Sequence, residues 1–166
     1  MATVDLDEEE GSEVSEKTCC VTGHREIPAD KEQYVENALR NEVAAAVTDG
    51  YTHFISGFAD GVDLMFAAII AEEKRVNRRL VLEAALPYRN RLKAKSKHFQ
   101  ELLVCCDRVY VQSEKTTPNC YFERNRYMVL ASNRVIAVYD GRAKGGTFYT
   151  LCFAQENEKD VRVITV

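Results

Sequence analysis

Residues 55–63 of the chain read Ile55-Ser56-Gly57-Phe58-Ala59-Asp60-Gly61-Val62-Asp63. A strand-like run, 51–55, leads into this stretch, and a long apolar segment typical of a buried helix follows it. Spaced glycines let the backbone turn sharply between a strand and a helix, and the N–H groups that open the helix can then bind an anion. The stretch therefore predicts a β–α unit with an anion site at its turn.

Two further glycine turns occur in the chain, at Thr22-Gly23-His24-Arg25 and at Gly145-Gly146-Thr147. Each of them follows a predicted strand. Because ligands of parallel sheets bind beyond the carboxyl ends of the strands, we expect all three turns to lie at one edge of the sheet. Three such turns in one small chain indicate a binding site for a phosphorylated ligand.

Strand-like and helix-like segments alternate from residue 18 to residue 166. The predicted strands cover 18–22, 51–56, 80–86, 108–111, 134–139 and 161–166, and the helices between them end near 50, 76, 104, 132 and 158. Strict alternation predicts an α/β fold, a single-domain Rossmann-like three-layer sandwich with a mostly parallel sheet and helices on both faces. No second domain and no internal repeat are predicted.

Several side chains are expected to limit these elements. Pro87 should end the third strand, and a single helix should then cover 90–104. Asp30 should cap the first helix, with Gln33 three residues later. Asp60 should cap the second helix in the same way, unless its carboxylate binds ribose hydroxyls instead.

The bulk composition excludes several classes of protein. Residues 1–17 hold seven acidic residues and one lysine and so carry a charge of −6, whereas the whole chain carries −4. This predicts a disordered acidic tail, 1–17, ahead of a weakly basic domain, 18–166. No segment is apolar enough to span a membrane and the start does not resemble a secretory signal, so a cytoplasmic protein is expected. The six cysteines show no Cys-x-x-Cys spacing, and no metal site is predicted.

The residues at the turns supply the candidate site. Ser56 offers a hydroxyl, and Gly57 a backbone angle that a Cβ would oppose. Gly61 lets the backbone approach a ligand closely, and Arg25 offers a guanidinium that suits a phosphate. His24 is a weaker candidate, since a loop histidine more often holds its own loop together.

Two arginines near the start of one helix, Arg124 and Arg126, oppose the helix dipole, and such conflicts often mark function. Arg124 and its neighbour Asn125 are therefore candidate ligand contacts, with Arg126 as a surface charge. In the basic run that begins at Arg89, spacing predicts a solvated surface, although Arg89 or Arg91 can still reach the same sheet edge.

With these residues in view, the chain resembles the SLOG superfamily of Rossmann-like proteins, and within it the YpsA-like branch. The resemblance covers 18–166. Its carriers are Thr22-Gly23-His24-Arg25, Ser56-Gly57-x-Ala59-x-Gly61-Val62-Asp63, Arg124-Asn125-Arg126-Tyr127-Met128, Tyr139-Asp140-Gly141 and Gly145-Gly146-Thr147. The resemblance implies a nucleotide or nucleotide-derived ligand at this edge, without one settled activity, and a homodimer.

Two related groups imply alternative functions. The LOG phosphoribohydrolases, which release a base from a nucleoside monophosphate, carry an arginine before a methionine, matched by Arg124 and Met128, and a glycine motif matched by Gly145-Gly146-Thr147. Their glutamate is absent, because Tyr149-Thr150-Leu151 occupy that region. Hydrolysis would need a carboxylate from Asp60, Asp63 or Glu123 instead, with Arg124 as the candidate catalytic group.

The DprA proteins, which bind single-stranded DNA, carry a motif that 56–63 matches. The weakly positive domain shows no aromatic-rich basic groove, so nucleic acid is not the expected partner. We expect a protein that senses or sequesters a small nucleotide ligand such as AMP, NAD or an ADP-ribose-like molecule, with no required cofactor and no membrane partner. Hydrolysis of an N-glycosidic bond and DprA-like binding of single-stranded DNA are the two alternatives.

Overall fold

The computed structural model describes residues 16–166, in which six parallel strands form one sheet between two layers of helices. The strands are β1 (Lys17–Thr22), β2 (Tyr51–Ser56), β3 (Val81–Tyr88), β4 (Arg108–Ser113), β5 (Arg134–Tyr139) and β6 (Asp160–Thr165). The helices are α1 (Glu32–Thr48), α2 (Val62–Glu73), α3 (Lys97–Val104), α4 (Cys120–Leu130) and α5 (Gly146–Glu156). The predicted fold class is confirmed, whereas the predicted disorder of the acidic tail falls almost wholly outside the described residues.

The strands lie side by side in the order β4-β3-β2-β1-β5-β6. β1 pairs with β2 on one side and with β5 on the other, where Thr22 lies opposite Ala137. The chain order therefore reverses between β1 and β5, and a crevice opens there beyond the carboxyl ends of the strands. This crevice is where the structure can place a ligand.

Each face of the sheet has its own core. α1, α2 and α3 cover the larger core, whose fully buried side chains include Leu39, Phe54, Phe66 and Phe99. α4 and α5 cover a smaller core around Ile55, Met128, Val129, Val135 and Ala154. Because helices cover both faces of the sheet, the buried strands have nearly continuous apolar sequences. Among the helices of residues 16–166, none combines the length and apolarity needed to cross a membrane.

The predicted limits around β3 are wrong. β3 continues through Pro87 to Tyr88, which lies opposite Ser113 of β4, and Pro87 itself has no partner in that register. The predicted helix over 90–104 is instead a short 3-10 helix, Arg89–Lys93, followed by α3. Ser96 begins α3 by accepting a hydrogen bond from the N–H of Phe99 at 3.2 Å, so a local cap interrupts the helical pattern.

The two predicted aspartate caps are also wrong. Asp30 lies inside a 3-10 turn, Ala29–Lys31, that begins after Pro28, and α1 then begins without a side-chain cap. Asp60 does not cap α2, because Gly61 is the residue before that helix and the first helical N–H, of Val62, donates to the carbonyl of His24 at 3.2 Å. The loop after β1 therefore provides the hydrogen-bond acceptor that the side chain of Asp60 was expected to provide.

A buried polar network attaches α4 to the sheet. His53 of β2 lies with Nε2 3.1 Å from Oε1 of Glu83 on β3, and the hydroxyl of Tyr127 on α4 donates to Oε2 of Glu83 at 2.6 Å. Burial opposes the ionisation of Glu83, but the hydrogen bonds of His53 and Tyr127 outweigh it and hold the pKa of Glu83 below its usual value. The network therefore stabilises the fold only while Glu83 is ionised.

Tyr127→Phe is expected to lower the free energy of unfolding by about 1.5–3 kcal/mol at neutral pH, because it removes a hydrogen bond to a buried carboxylate. Since the folded pKa of Glu83 is depressed, its contribution is present above the unfolded pKa of about 4.3 and is lost as the pH falls through the folded value. Tyr127→Phe should therefore also start acid unfolding at a higher pH. Urea denaturation at neutral pH and an acid titration followed by circular dichroism measure both effects.

Tyr110→Phe is the matched control for that change. The ring of Tyr110 stacks on Tyr127 with centroids 3.5 Å apart, but its hydroxyl donates to Gln112 and not to Glu83. Equal losses of stability in the two variants would contradict the role assigned to the Glu83 network.

Candidate functional site

A cavity of about 340 Å³ lies beyond the carboxyl end of β1, between the starts of α2, α4 and α5. We call it the central cavity. Its walls come from the loop after β1, from two side chains near the start of α2, from one face of α4 and from the first two residues of α5. The structure brings seven of the predicted site residues together here, namely Gly23, His24, Arg25, Arg124, Asn125, Gly146 and Thr147.

Arg124 is the buried cation of the central cavity. Its side chain is only 4% exposed, and Nη1 donates to the carbonyls of Gly57 at 2.7 Å and Ala85 at 2.9 Å, while Nε donates to Oδ1 of Asn125 at 2.9 Å. Burial lowers the pKa of Arg124, although a guanidinium stays charged near neutral pH. Among residues 16–166, Nη2 has no hydrogen-bond partner and no carboxylate lies within 4 Å of the group. A guanidinium held in this way keeps a donor, Nη2, with which it can bind an anion.

Asp63 is the carboxylate of the same cavity. Its Oδ2 accepts a hydrogen bond from the N–H of Ala59 at 3.3 Å. Burial raises the pKa of Asp63 to about 6, against the opposing effects of Arg124, that N–H group and Arg25. The carboxylate and the guanidinium face the cavity without forming an ion pair with each other in the described part of the chain. Both remain free to contact a ligand.

Gly57 separates these two charged groups. A Cβ at this position would lie 2.8 Å from Oδ2 of Asp63 and 3.0 Å from Cζ of Arg124. Any side chain at position 57 would therefore displace one group or both. Gly57 thus permits the close approach of charged side chains to the backbone. The backbone angle predicted for it is wrong, because its φ is not positive, unlike that of Gly61.

The other turn residues around α2 contact the protein itself. A Cβ at Gly23 would lie 2.6 Å from that of Val62, and one at Gly61 would collide with the backbone carbonyls of Arg25 and His24. The hydroxyl of Ser56, fully buried, donates to the carbonyl of Asp63 at 2.8 Å and accepts from the N–H of Phe58. These residues hold the turn in place, and the predicted ligand contacts of Ser56 and Gly61 remain predictions.

The start of α5 is open by contrast. Gly145 precedes the helix with φ of +91°, a conformation that favours glycine. No atom lies within 4 Å of a Cβ placed on Gly145 or Gly146, and Gly146 and Thr147 line the central cavity. An open helix N-terminus beside a buried guanidinium is an arrangement that suits a phosphate group.

His24 divides the central cavity from a second one. Its Nε2 accepts a hydrogen bond from the N–H of Asp140 at 3.3 Å, and its ring stacks on Tyr139 with centroids 6.5 Å apart. The second cavity measures about 390 Å³ and has walls of two kinds. Ile27, Pro28, Val138 and Val166 are apolar, and Glu26, Lys31, Asp140 and Arg142 are charged. We call it the side pocket. His24 is therefore both a loop-holding residue and a wall of the site.

The remaining candidates lie at the rim. Gly57 and Asp60 line a small cavity of about 90 Å³ that adjoins the central cavity, and Arg91 joins them there. A larger open groove of about 1000 Å³ runs between α1 and α2 and includes Arg25, Asp60 and Gly61. Its other charged walls are mostly acidic (Glu26, Glu32, Glu36 and Glu72), so the smaller central cavity suits an anionic ligand better.

The sequence indicates two further residues of the site only weakly. Asp63 is predicted only as one of three carboxylates that could replace the missing glutamate. Tyr121 is not predicted at all, although its ring lies 5.2 Å from Cζ of Arg25 and 5.6 Å from Cζ of Arg124. The spacing of Tyr121 and Arg124, three residues apart on one helix, places both on one face and could have identified the tyrosine. No local signal distinguishes a carboxylate that faces a cavity from one that caps a helix.

The fold and the cavity at its switch point define a Rossmann-like α/β protein of the SLOG type. The chain belongs to the YspA SLOG family, because the sequence model of that family, YpsA, matches residues 19–166. No curated protein matches the chain significantly.

Solved structures show the same fold at low sequence identity. DNA processing protein A (DprA) from Streptococcus pneumoniae superposes with a TM-score of 0.68 and 18% identity over 91% of this chain and 51% of that one. DprA from Helicobacter pylori, described for its single-stranded DNA binding mode, superposes with a TM-score of 0.63 and 17% identity over 89% of this chain and 64% of that one. A structural genomics target, TM1055, superposes with a TM-score of 0.58 and 16% identity over 87% of this chain and 72% of that one. The chain thus spans about half to two thirds of the DprA proteins.

Asp63→Asn is expected to raise the free energy of unfolding at about pH 7 by about 1–3 kcal/mol. The folded pKa of about 6 lies above the unfolded value, so the native protein loses stability as the pH rises from about 4 to about 6. Asparagine has no charge to lose and avoids this penalty. Urea denaturation of both proteins at about pH 4 and about pH 7 measures the difference.

Asp60→Asn serves as the control for this measurement, because Asp60 is exposed. It should leave the pH dependence unchanged. An Asp63→Asn effect of the same size at both pH values would show that the carboxylate of Asp63 carries no such penalty.

Proposed function

We propose that this protein binds a nucleotide or nucleotide-derived phosphorylated ligand in the central cavity. The observation that carries the proposal is Arg124, a guanidinium only 4% exposed whose Nη2 has no hydrogen-bond partner within residues 16–166. Two main-chain carbonyls hold Nη1, so the group is oriented before any ligand arrives. The open start of α5, at Gly146 and Thr147, lies on the same cavity and adds N–H donors for a phosphate.

The rest of the site suits the other parts of a nucleotide. The carboxylate of Asp63, beside Arg124, can accept hydrogen bonds from sugar hydroxyls. Beyond His24, the aliphatic walls of the side pocket can contact a flat base. AMP, NAD and ADP-ribose-like molecules combine these three chemical features, whereas inorganic phosphate or a free base carries only one of them.

Binding without turnover is the favoured form of this function. In the LOG proteins that the chain resembles, the glycine turn is followed by a glutamate, whereas here Thr150 donates to the carbonyl of Gly146 at 2.8 Å and Tyr149 is exposed. The start of α5 therefore offers no carboxylate to stabilise an oxocarbenium-like sugar. The arrangement supports a sensor or a ligand-binding protein.

One observation favours hydrolysis of the N-glycosidic bond as a second candidate. Of the three carboxylates that could replace the missing glutamate, Asp63 lines the central cavity, Asp60 lies exposed at the rim, and Glu123 is exposed and lines none of the cavities described above. With a pKa of about 6, Asp63 can carry either a proton or a charge near neutral pH. This is the property of a general acid or base.

Gly146→Val is expected to weaken AMP binding by about 10-fold or more, because its branched side chain enters the cavity where a phosphate would approach the helix start. The ligand-free protein should keep its melting temperature within a few degrees, since nothing lies within 4 Å of that position. Calorimetric titration and the shift of the melting temperature with AMP measure both quantities. Gly57 is left unchanged in this test, because a Cβ there would collide with Asp63.

The matched control is Ala143→Val, which adds a similar side chain to the exposed loop before α5 and away from the central cavity. Equal affinity for AMP in the Gly146 variant and the parent protein would contradict the proposed site. A single-stranded oligonucleotide included in the same titration tests DprA-like binding of single-stranded DNA. Tighter and strongly salt-dependent binding of the oligonucleotide would favour a strand over a mononucleotide as the ligand.

On the binding proposal, prolonged incubation with AMP releases no free adenine. If the second candidate is correct, adenine appears, and Asp63→Asn reduces its rate by about 100-fold or more, since a group that transfers a proton is lost. Asp60→Asn should leave that rate unchanged. Chromatographic separation of adenine from AMP distinguishes the two functions.

A further inference from the structure

The small cavity beside the central cavity collects three arginines. Its lining residues are Arg25, Gly57, Ala59, Asp60, Pro87, Arg91, Tyr121 and Arg124, and its volume of about 90 Å³ admits a few water molecules or one tetrahedral oxyanion. We call it the arginine pocket. It shares Arg25, Ala59, Tyr121 and Arg124 with the central cavity, so one ligand can enter both.

The guanidinium groups of the arginine pocket are positioned by aromatic rings and by backbone. Cζ of Arg25 and of Arg124 lie 5.2 and 5.6 Å from the ring centroid of Tyr121. Cζ of Arg91 lies 5.0 Å from the ring of Phe99, and its Nη2 lies 3.5 Å from the carbonyl oxygen of Phe58. Aromatic faces orient guanidinium groups without neutralising them.

The arginines of the arginine pocket form no direct ion pair with the protein. Within residues 16–166, no carboxylate lies within 4 Å of Arg25, Arg91 or Arg124, and the only carboxylate in the lining, Asp60, is exposed. Burial lowers the pKa of Arg124 most; nearby Asp63 and Tyr121 raise it, and Arg25 and Arg91 lower it. A bound anion would reduce the repulsion between these guanidinium groups.

Arg89, on the same short helix as Arg91, is an ordinary surface arginine that is paired with a carboxylate. It lies two residues before Arg91 in the 3-10 helix Arg89–Lys93, and it donates two hydrogen bonds, of 2.6 and 2.7 Å, to the carboxylate of Glu114. Arg91 has no such partner in the described chain. On this one short helix, Arg89 is therefore neutralised by a carboxylate, whereas Arg91 is available to a ligand.

The backbone beneath the arginine pocket is strained. Phe58 is fully buried and adopts a φ of +56°, and its ring packs edge-on against Phe99 with centroids 5.4 Å apart. A bulky non-glycine residue in this region is strained, and such strain concentrates at ligand clamps. The strained residue is also the one whose carbonyl faces Arg91.

We propose that the arginine pocket binds a second anionic group of the ligand that occupies the central cavity. This inference rests on the proposed function and narrows its ligand class. The first phosphate lies between Arg124 and the start of α5, and the second lies between Arg25 and Arg91. The ligand is then a nucleotide with a pyrophosphate, such as ADP or ADP-ribose, rather than a nucleoside monophosphate.

The test compares AMP with ADP by calorimetric titration of the parent protein, Arg91→Gln and Arg89→Gln. The parent should bind ADP about 10-fold or more tightly than AMP, because charge-assisted hydrogen bonds to the second phosphate are added. Arg91→Gln should lose about 10-fold or more of the affinity for ADP and less than about 3-fold of that for AMP. Arg89→Gln, which removes the same charge from the same helix, should leave both affinities unchanged.

Each other outcome overturns the inference in a recognisable way. Equal affinities of the parent for AMP and ADP contradict the second site and leave the proposed function standing. Equal losses for both nucleotides in Arg91→Gln, or the same losses in Arg89→Gln, contradict it as well, since they indicate a diffuse effect of charge. Failure of the parent to bind either nucleotide contradicts this inference and the proposed function together.

Arg91→Met provides a second variant, because it removes the charge and keeps an apolar contact with the ring of Phe99. It replaces Arg91→Gln if that variant does not melt cooperatively. The same selective loss of ADP affinity is expected, and its absence would overturn the second site.

Discussion

The burial of one guanidinium against main-chain carbonyls is the constraint on which the site depends. Arg124 reaches from α4 to the carbonyl of Gly57, just after β2, and to that of Ala85, within β3, and so fixes the helix against the sheet. Nη1 can lie between these two carbonyls only because position 57 has no side chain. The same glycine brings the carboxylate of Asp63 to the opposite side of the turn, so one close approach determines the charges of the cavity.

Three glycine turns that are alike in sequence have different physical roles because their surroundings differ. Gly23 and Gly61 bring the start of α2 against the loop after β1, where a carbonyl of that loop accepts the first helical N–H group. Gly145 and Gly146 meet no neighbouring atoms and leave the start of α5 open. A helix whose first donors are used by the protein has less to offer an anion than one whose donors face a cavity. The phosphate position therefore follows from packing more than from the glycine pattern.

The order of the elements could be predicted from the sequence, because alternating strands and helices with short turns allow few arrangements. The edge at which the turns meet followed from that order. Details that depend on distant partners could not be predicted. The carbonyl that replaces an Asp60 cap belongs to His24, and the strand that pairs with β3 beyond Pro87 lies some twenty residues later in the chain. For the same reason the sequence alone does not distinguish Asp63 from Asp60 and Glu123, since its place in the cavity is set by how α2 packs.

The guanidinium and the carboxylate of the free site attract each other without forming a direct ion pair, and this narrows which ligands can bind. Arg124 and Asp63 face one cavity without pairing, so a ligand that satisfies both must bring negative oxygens and hydrogen-bond donors at separate points. Inorganic phosphate satisfies the first demand and a nucleoside the second, whereas a nucleotide satisfies both. A site of this kind gives up some stability of the free protein for specificity, because the unpaired charges repel or lack solvent until the ligand arrives. Such a protein is expected to be most stable with its ligand bound.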